Sequence, residues 1–158
     1  MKLILAAAVL AAGVTAAGAA SAFQVADGGI TAKEVAAVLQ SKGYKAEITT
    51  DSVGDPKIRT AMDGTDVSIL FYGCNKGPRC AAIQFTVGFN LRNGTTYERM
   101  NEWNRKNNFG KAYLDDEMDP FLNMTLDTEH GFLTEGLANN VDTWTSILPQ
   151  FKKFIGWN

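Results

Sequence analysis

Few residues of this 158-residue chain could do chemistry, and Cys74 and Cys80 are the first of them. They flank a short Gly- and Pro-containing turn, so the favoured prediction is a structural disulfide that closes this loop. Redox catalysis usually needs Cys-x-x-Cys at a helix start, which this spacing does not supply. A zinc site would need two further ligands, and His130 is the single histidine. Redox and metal chemistry are therefore the weaker alternatives.

The acidic stretch at residues 115–119 is the second candidate. It holds four carboxylates, on Asp115, Asp116, Glu117 and Asp119. An EF-hand calcium loop needs glycine at its sixth position, where this chain has Pro120, so a solvated turn without metal is predicted. Sequence does not give the separation of carboxylates that hydrolysis would require. A weak hydrolase that uses Asp115, Asp116 or Asp119 therefore stays an alternative function.

Other catalytic patterns are missing from the sequence. Acyl transfer by a Ser–His pair would depend on His130, and no G-x-S-x-G motif occurs. No glycine-rich phosphate loop with its lysine is present either. The prediction is a protein that is not an enzyme, with no catalytic residue and no cofactor.

Charge suggests a second alternative function. Lys76 and Arg79 would make the closed cysteine loop a rigid basic projection, suited to an acidic partner such as a cell-wall hydrolase that a secreted inhibitor would block. The net charge of the whole chain is −2, and no basic patch stands out. Nucleic acid is therefore not an expected partner.

The start of the chain resembles an export signal. Lys2 precedes an apolar, alanine-rich run, and Ala20-Ser21-Ala22 fits a signal-peptidase site, so cleavage after Ala22 is expected. The run is too short and too rich in alanine for a stable membrane anchor. The predicted organisation is a signal peptide at 1–22, a flexible lead-in at 23–29 and one domain at 30–158, located in the periplasm or secreted.

The elements that would position these residues follow from periodicity. Thr31 and Glu34 form a capping box at the start of a first helix, which Gly43 ends. Four strands with alternating apolar residues follow, and Asp63-Gly64 predicts a tight hairpin between the second and third. The strands around residues 67–71 and 83–89 carry the largest apolar side chains and should lie at the centre of the sheet. The first strand is expected to turn Tyr44, Ala46 and Ile48 inward.

A second helix is predicted within residues 94–110. Thr95 and Glu98 suit a capping box, Tyr97, Met100 and Trp103 form its apolar face, and Gly110 suits its end. A hairpin of residues 111–115 and 121–127 should follow.

The last helix is predicted to be the longest, with Thr134 as its cap. It carries a stripe of apolar residues at steps of four and three. Pro149 is expected to kink or break it. Off the stripe lie Ile147, Phe154 and Trp157, which would be extra core or a partner surface. The stripe consists of Leu137, Val141, Trp144, Leu148, Phe151 and Ile155.

These elements give an α+β domain of two layers, in the order α-β-β-β-β-α-β-β-α. Its antiparallel sheet of about five to six strands would pack against the helices. An edge strand left exposed in such a sheet would also allow a homodimer.

The segment from Tyr97-Glu98-Arg99-Met100-Asn101-Glu102-Trp103-Asn104 to Phe109-Gly110-Lys111-Ala112-Tyr113-Leu114-Asp115-Asp116 resembles the YbjN-like domain family. Its members are described as regulators of bacterial sensory transduction and are similar to type III secretion chaperones in the order of their elements. The resemblance implies a binding or regulatory module that takes a protein or peptide segment in a chaperone-like manner. The candidate partner-binding residues are Asn101, Trp103, Asn104, Lys76, Arg79 and Trp157.

Overall fold

The computed structural model describes residues 28–74, 77–131 and 133–157. The predicted signal peptide and most of the lead-in lie outside these residues. Gly28 and Gly29 are described: the Gly28 amide donates to the Glu129 carbonyl at 2.8 Å, and the Gly29 carbonyl accepts from Arg79 at 2.6 Å. These bonds tie the last two residues of the predicted lead-in to the domain, and the predicted domain boundaries stay a prediction.

The described residues form three helices and eight strands. The helices are α1 (Ala32–Ser41), α2 (Tyr97–Lys106) and α3 (Thr134–Ile155). The strands are β1 (Ile30–Thr31), β2 (Glu47–Thr50), β3 (Pro56–Met62), β4 (Thr65–Tyr72), β5 (Arg79–Cys80), β6 (Ala82–Gly88), β7 (Lys111–Leu114) and β8 (Pro120–Asp127).

Six strands make one antiparallel sheet in the order β2-β3-β4-β6-β8-β7, and β1 pairs with β5 in a small second sheet. This arrangement confirms the predicted α+β class. The prediction that β4 and β6 occupy the centre is also confirmed. Ile69 of β4 lies opposite Phe85 of β6, and both are fully buried.

One face of the sheet makes the core with the helices. Alternate residues of the strands point into it, as a period of two requires. On the helix side, Trp144 of α3 packs on Phe85 with ring centroids 5.6 Å apart, and Phe151 packs on Phe89 at 5.9 Å. Aromatic contacts thus fix α3, the longest helix, across the middle of the sheet.

The first predicted strand is shorter than expected. The Tyr44 amide still bonds to the Leu39 carbonyl of α1 at 3.0 Å, so the chain leaves the helix late and β2 begins only at Glu47. Ile48 was expected to be buried, but 46% of its surface is exposed. It lies on an edge strand with no described strand beyond it, and alternation alone does not reveal this.

The capping box of α1 is confirmed, whereas the one predicted for α2 is wrong. The Thr95 amide donates to the Met118 carbonyl, which holds this residue outside the helix, and Thr96 caps α2 instead. Tyr97 is 61% exposed, so only Met100 and Trp103 form the buried face. The helix ends at Lys106, before Gly110.

The last helix begins at Thr134 itself, with Leu133 in the cap position, so Thr134 is not the cap. The helix continues to Ile155 with Pro149 inside, and the predicted break does not occur. Pro149 is exposed, while its neighbours Leu148 and Phe151 are fully buried, so packing keeps this turn helical. Ile147 is buried, and Phe154 and Trp157 pack against the core, which favours the extra-core interpretation.

A side chain at Gly110 would crowd the ends of two core side chains. Its φ is +79°, and a β-carbon there would lie 2.7 Å from Ile147 Cδ1 and 2.9 Å from Leu122 Cδ1. Gly43 has a similar φ of +86°, with nothing within 4 Å of such a carbon. A substitution at either position would strain the backbone to a similar degree, but only at Gly110 would the new side chain also meet neighbouring atoms.

We predict that Gly110→Ala destabilises the protein more than Gly43→Ala does, by about 1–3 kcal/mol, the usual cost of overpacking a core. Urea unfolding of both variants measures the difference. Equal losses of stability would mean that Ile147 and Leu122 move aside freely.

Candidate binding surface

The second face of the sheet is not covered by any of the three helices, and we call it the open face. Its side chains come from the positions of β3, β4, β6, β7 and β8 that alternate with the core positions. None of these residues is buried. They include Ser68, Leu70, Tyr72, Gln84, Thr86, Tyr113, Phe121, Asn123 and Thr125.

Amide and hydroxyl groups link the middle of the open face across three strands. Gln84 Nε2 donates to Thr125 Oγ1 at 2.8 Å, and Gln84 Oε1 accepts from Asn123 Nδ2 at 3.0 Å. Thr86 Oγ1 donates to Asn123 Oδ1 at 2.6 Å, and the Tyr72 hydroxyl donates to Gln84 Oε1 at 3.3 Å. Each primary amide has two N–H donors and uses one of them here. The network is therefore ordered and still has hydrogen-bonding capacity.

Aromatic side chains border this network. Tyr113 stacks on Phe121 with centroids 5.3 Å apart and planes inclined by 23°. Phe121 in turn lies over Gly88, where a β-carbon would be 2.5 Å from its ring. Burial raises the pKa of Tyr72, and the nearby Tyr113 and Asp51 add to the shift, so the Tyr72 hydroxyl stays a neutral donor. The surface thus combines flat rings with polar groups.

The centre of the open face carries no charged side chain. Lys57, Arg59 and Asp66 lie on its β3–β4 side, and Lys111 lies on the outer strand β7. Among the described residues, no three His, Cys, Asp or Glu side chains come together as metal ligands would. The centre of the face therefore offers hydrogen bonds and ring contacts.

Two of the predicted partner-binding residues hold α2 in place. Trp103 is only 2% exposed, its Nε1 donates to the Gly110 carbonyl at 2.9 Å, and its ring contacts Phe151 at 4.9 Å. Asn104 Oδ1 accepts from the Ala112 amide at 2.8 Å, and its Nδ2 donates to the Ala112 carbonyl at 3.0 Å. These contacts give Trp103 and Asn104 a structural role, because they hold α2 against the core and against β7.

Asn101 and Trp157, which were also predicted to bind a partner, differ in their exposure. Asn101 is exposed on α2. Trp157 is half-buried and packs edge-on against Phe89 with centroids 5.2 Å apart. Asn101 and Asn104 are both exposed, but the Asn104 side chain is bonded to Ala112, and the role of Asn101 in partner binding stays a prediction.

The cysteine loop is closed as predicted, by a disulfide between Cys74 and Cys80. Lys76 lies outside the described residues. Arg79 was expected to be a free basic group, but its guanidinium pairs with Glu34 at 2.9 Å and donates to the Gly29 carbonyl. The arginine is used to join β5 to α1, so the geometry does not favour the inhibitor hypothesis.

The acidic turn is held by its own carboxylates. Asp115 Oδ1 accepts from the amides of Glu117 and Asp119, at 3.0 Å and 2.9 Å. Asp119, which is 7% exposed, accepts from the Leu91 amide at 2.8 Å. His130 is exposed in the turn after β8. These bonds give two of the carboxylates structural roles and do not favour the hydrolase alternative.

Comparison with known proteins adds one finding. The family model YbjN, described as "Putative bacterial sensory transduction regulator", matches residues 31–157.

The chain belongs to the YbjN family.

The family description is that of a regulator and names no enzymatic activity. No curated protein and no solved structure matches the chain. Within the described part of this YbjN chain, no helix has the length and apolar character needed to cross a membrane.

Sequence reasoning missed the open face as a candidate site. Gln84 and Thr86 were predicted to alternate with core residues, but no local signal connects them to Asn123, which lies on a strand about 40 residues later. The usable signal was compositional: the outward positions of β6 carry no charge, which is unusual for a solvated strand face.

Substitution of Asn104 tests whether its hydrogen bonds to Ala112 hold the outer strand β7 in place. We predict that Asn104→Ala costs about 1–3 kcal/mol of unfolding free energy, because two hydrogen bonds to Ala112 are lost. Asn101→Ala, on the same helix, should stay within about 0.5 kcal/mol of the wild type. Chemical unfolding and amide exchange at Ala112 measure both effects. An unchanged exchange rate at Ala112 would contradict the bonding role.

The lowered pKa of Glu34 predicts that the stability of the folded protein depends on pH. Burial alone would raise its pKa, but hydrogen bonds from Thr31 and Arg79 outweigh burial, and the net pKa is below the ordinary 4.5. A carboxylate with a lowered folded-state pKa contributes stability above the unfolded pKa and loses it as the pH falls through the folded value.

We therefore expect Glu34→Gln to be less stable than wild type near pH 7, by about 1 kcal/mol. The difference should shrink as the pH falls below 4.5. Thermal unfolding from pH 7 to pH 3 measures it, with Glu129→Gln as the control at an exposed position. A difference independent of pH would assign the loss to packing instead of charge.

Proposed function

We propose that this YbjN protein is an exported, non-enzymatic regulator that binds an uncharged, extended segment of another protein on its open face. The observation that carries the proposal is the uncharged, hydrogen-bonding and partly aromatic centre of that face. Solvated faces of antiparallel sheets usually carry charged residues. Here charge is confined to the margin, as it is in protein–protein interfaces, whose centres are poor in charge and rich in aromatic residues.

The chemistry of the face favours a peptide as its ligand. The spare amide N–H groups of Gln84 and Asn123 match backbone carbonyls, and the hydroxyl of Tyr72 adds a further donor and acceptor. Tyr72 is 43% exposed, and Tyr113 with Phe121 forms a flat aromatic platform for an apolar side chain. A charged segment would have to lose water over a centre that offers it no ion pair.

Export is supported by two independent features. Residues 1–22 have the pattern of a signal peptide. The pairing of Cys74 with Cys80 fits an oxidising compartment, where disulfides form and persist. The natural partner would then be another protein of the periplasm or cell exterior.

Site-specific photo-crosslinking in living cells tests this proposal. A benzoyl-phenylalanine replaces Tyr72 at the centre of the open face or, as the matched control, Tyr97 on α2, which is 61% exposed. The expected result is a discrete protein adduct at position 72 that is absent at position 97. Adding Thr86→Lys, which introduces a charge in the middle of the face, should reduce the adduct at least about tenfold.

Adducts of equal yield at both positions would show non-specific contact and contradict the proposal. So would the lack of any adduct at position 72 when the protein is folded and exported. A strong adduct that survives Thr86→Lys would place the partner on a different part of the surface.

A further inference from the structure

Two basic side chains border the open face on β3. Ile58 and Thr60 of this strand are buried in the core, so Lys57 and Arg59, which alternate with them, lie on the open face. Arg59 is exposed and Lys57 is half-buried. Among the described residues, neither of these two cations has an ion-pair partner. Their charge is therefore available to a ligand.

The strand register places Arg59 in line with the amide network. Arg59 lies opposite Ser68 of β4, which lies opposite Thr86 of β6. Thr86 in turn lies opposite Asn123 of β8. Neighbouring strands are about 4.8 Å apart, so this row of side chains runs about 14 Å from Asn123 to Arg59, the length of about four extended residues. Only the small side chains of Ser68 and Thr86 stand between the two ends of the row.

The basic margin and the centre of the open face form one continuous depression. The residues that line a cavity of about 430 Å³ at the margin include Thr49, Lys57, Arg59, Asp66 and Ser68. The residues that line a second cavity, of about 400 Å³ over the centre, include Tyr72, Gln84, Thr86 and Phe121. Lys57, Asp66 and Ser68 line both cavities, so a ligand on the centre can reach the cations without leaving the surface.

The cavity at the margin suits a single negative charge. Lys57 and Arg59 contribute two positive charges to its described lining, and Asp66 contributes one negative charge. Glu47 lies opposite Arg59 on β2 and is outside this lining. One carboxylate would neutralise the remaining positive charge, whereas a phosphate group, with a charge of about −1.5 to −2, would exceed it. A guanidinium also binds a carboxylate through two parallel hydrogen bonds.

We infer that Arg59 and Lys57 bind the C-terminal carboxylate of the segment that occupies the open face. This inference rests on the proposed function. An otherwise uncharged segment carries a negative charge only at its C-terminus, and an end at Arg59 places the preceding residues over Thr86 and Asn123. Lys111 lies at the opposite end of the same row and is the one charged residue in the described lining of its own cavity. It lacks the planar fork of a guanidinium, so it fits a carboxylate less well.

Pools of synthetic hexapeptides test the inference. All are acetylated at the N-terminus and contain only uncharged residues, and they end either in a free carboxylate or in a carboxamide. The full processed chain is immobilised and incubated with each pool, and the retained peptides are quantified by mass spectrometry. We expect at least about tenfold more peptide from the carboxylate pool, because hydrogen bonds between ionised groups are the stronger ones.

Substitutions at the two ends of the row locate the carboxylate. Arg59→Gln should reduce retention of the carboxylate pool about tenfold or more. Because Arg59 is exposed, the thermal unfolding of this variant should match that of the wild type. Lys111→Gln removes a cation from the other end of the row and is the matched control, which should leave retention within about twofold.

Three results would overturn the inference. They are equal retention of the two pools, an equal loss of retention in Arg59→Gln and Lys111→Gln, and full retention of a third pool that ends in an aspartate with a carboxamide. The third result would assign the cations to an acidic side chain instead of a chain end.

The same experiment separates this inference from the proposed function. If both pools are retained equally and Thr86→Lys abolishes retention of the carboxamide pool, the open face binds peptides and only the carboxylate site is wrong. If neither pool is retained, both the proposed function and the carboxylate site are wrong.

Discussion

The structure depends on one constraint: only one face of its sheet is apolar. Ile58, Ile69, Phe85 and Leu122 all project to the same side, so α1, α2 and α3 must pack there to bury them. Aromatic contacts then lock the helical layer, with Trp103 of α2 and Phe89 both touching Phe151 of α3. Because the helices cover one side only, the open face of the sheet stays accessible to other molecules.

The edges show how small local features decide what a surface can do. At β7, one asparagine on α2 supplies the donor and acceptor of a missing strand, and this requires α2 to sit within hydrogen-bond reach of Ala112. Trp103, one residue earlier, provides that position by anchoring the helix in the core. At β2, no other strand of the described chain pairs with the outer edge.

The sequence predicts the parts of this fold that depend on local periodicity. Alternation identified Ile69 and Phe85 as inward-facing, and capping chemistry identified Thr31 with Glu34. Prediction from the sequence failed where the deciding contact is made by a residue distant in sequence. Thr95 lost the capping role to Thr96 because Met118 holds its amide, and Arg79 was taken for a free cation because Glu34 lies 45 residues earlier. The open face was missed for the same reason, since Gln84 meets Asn123 only through strand pairing.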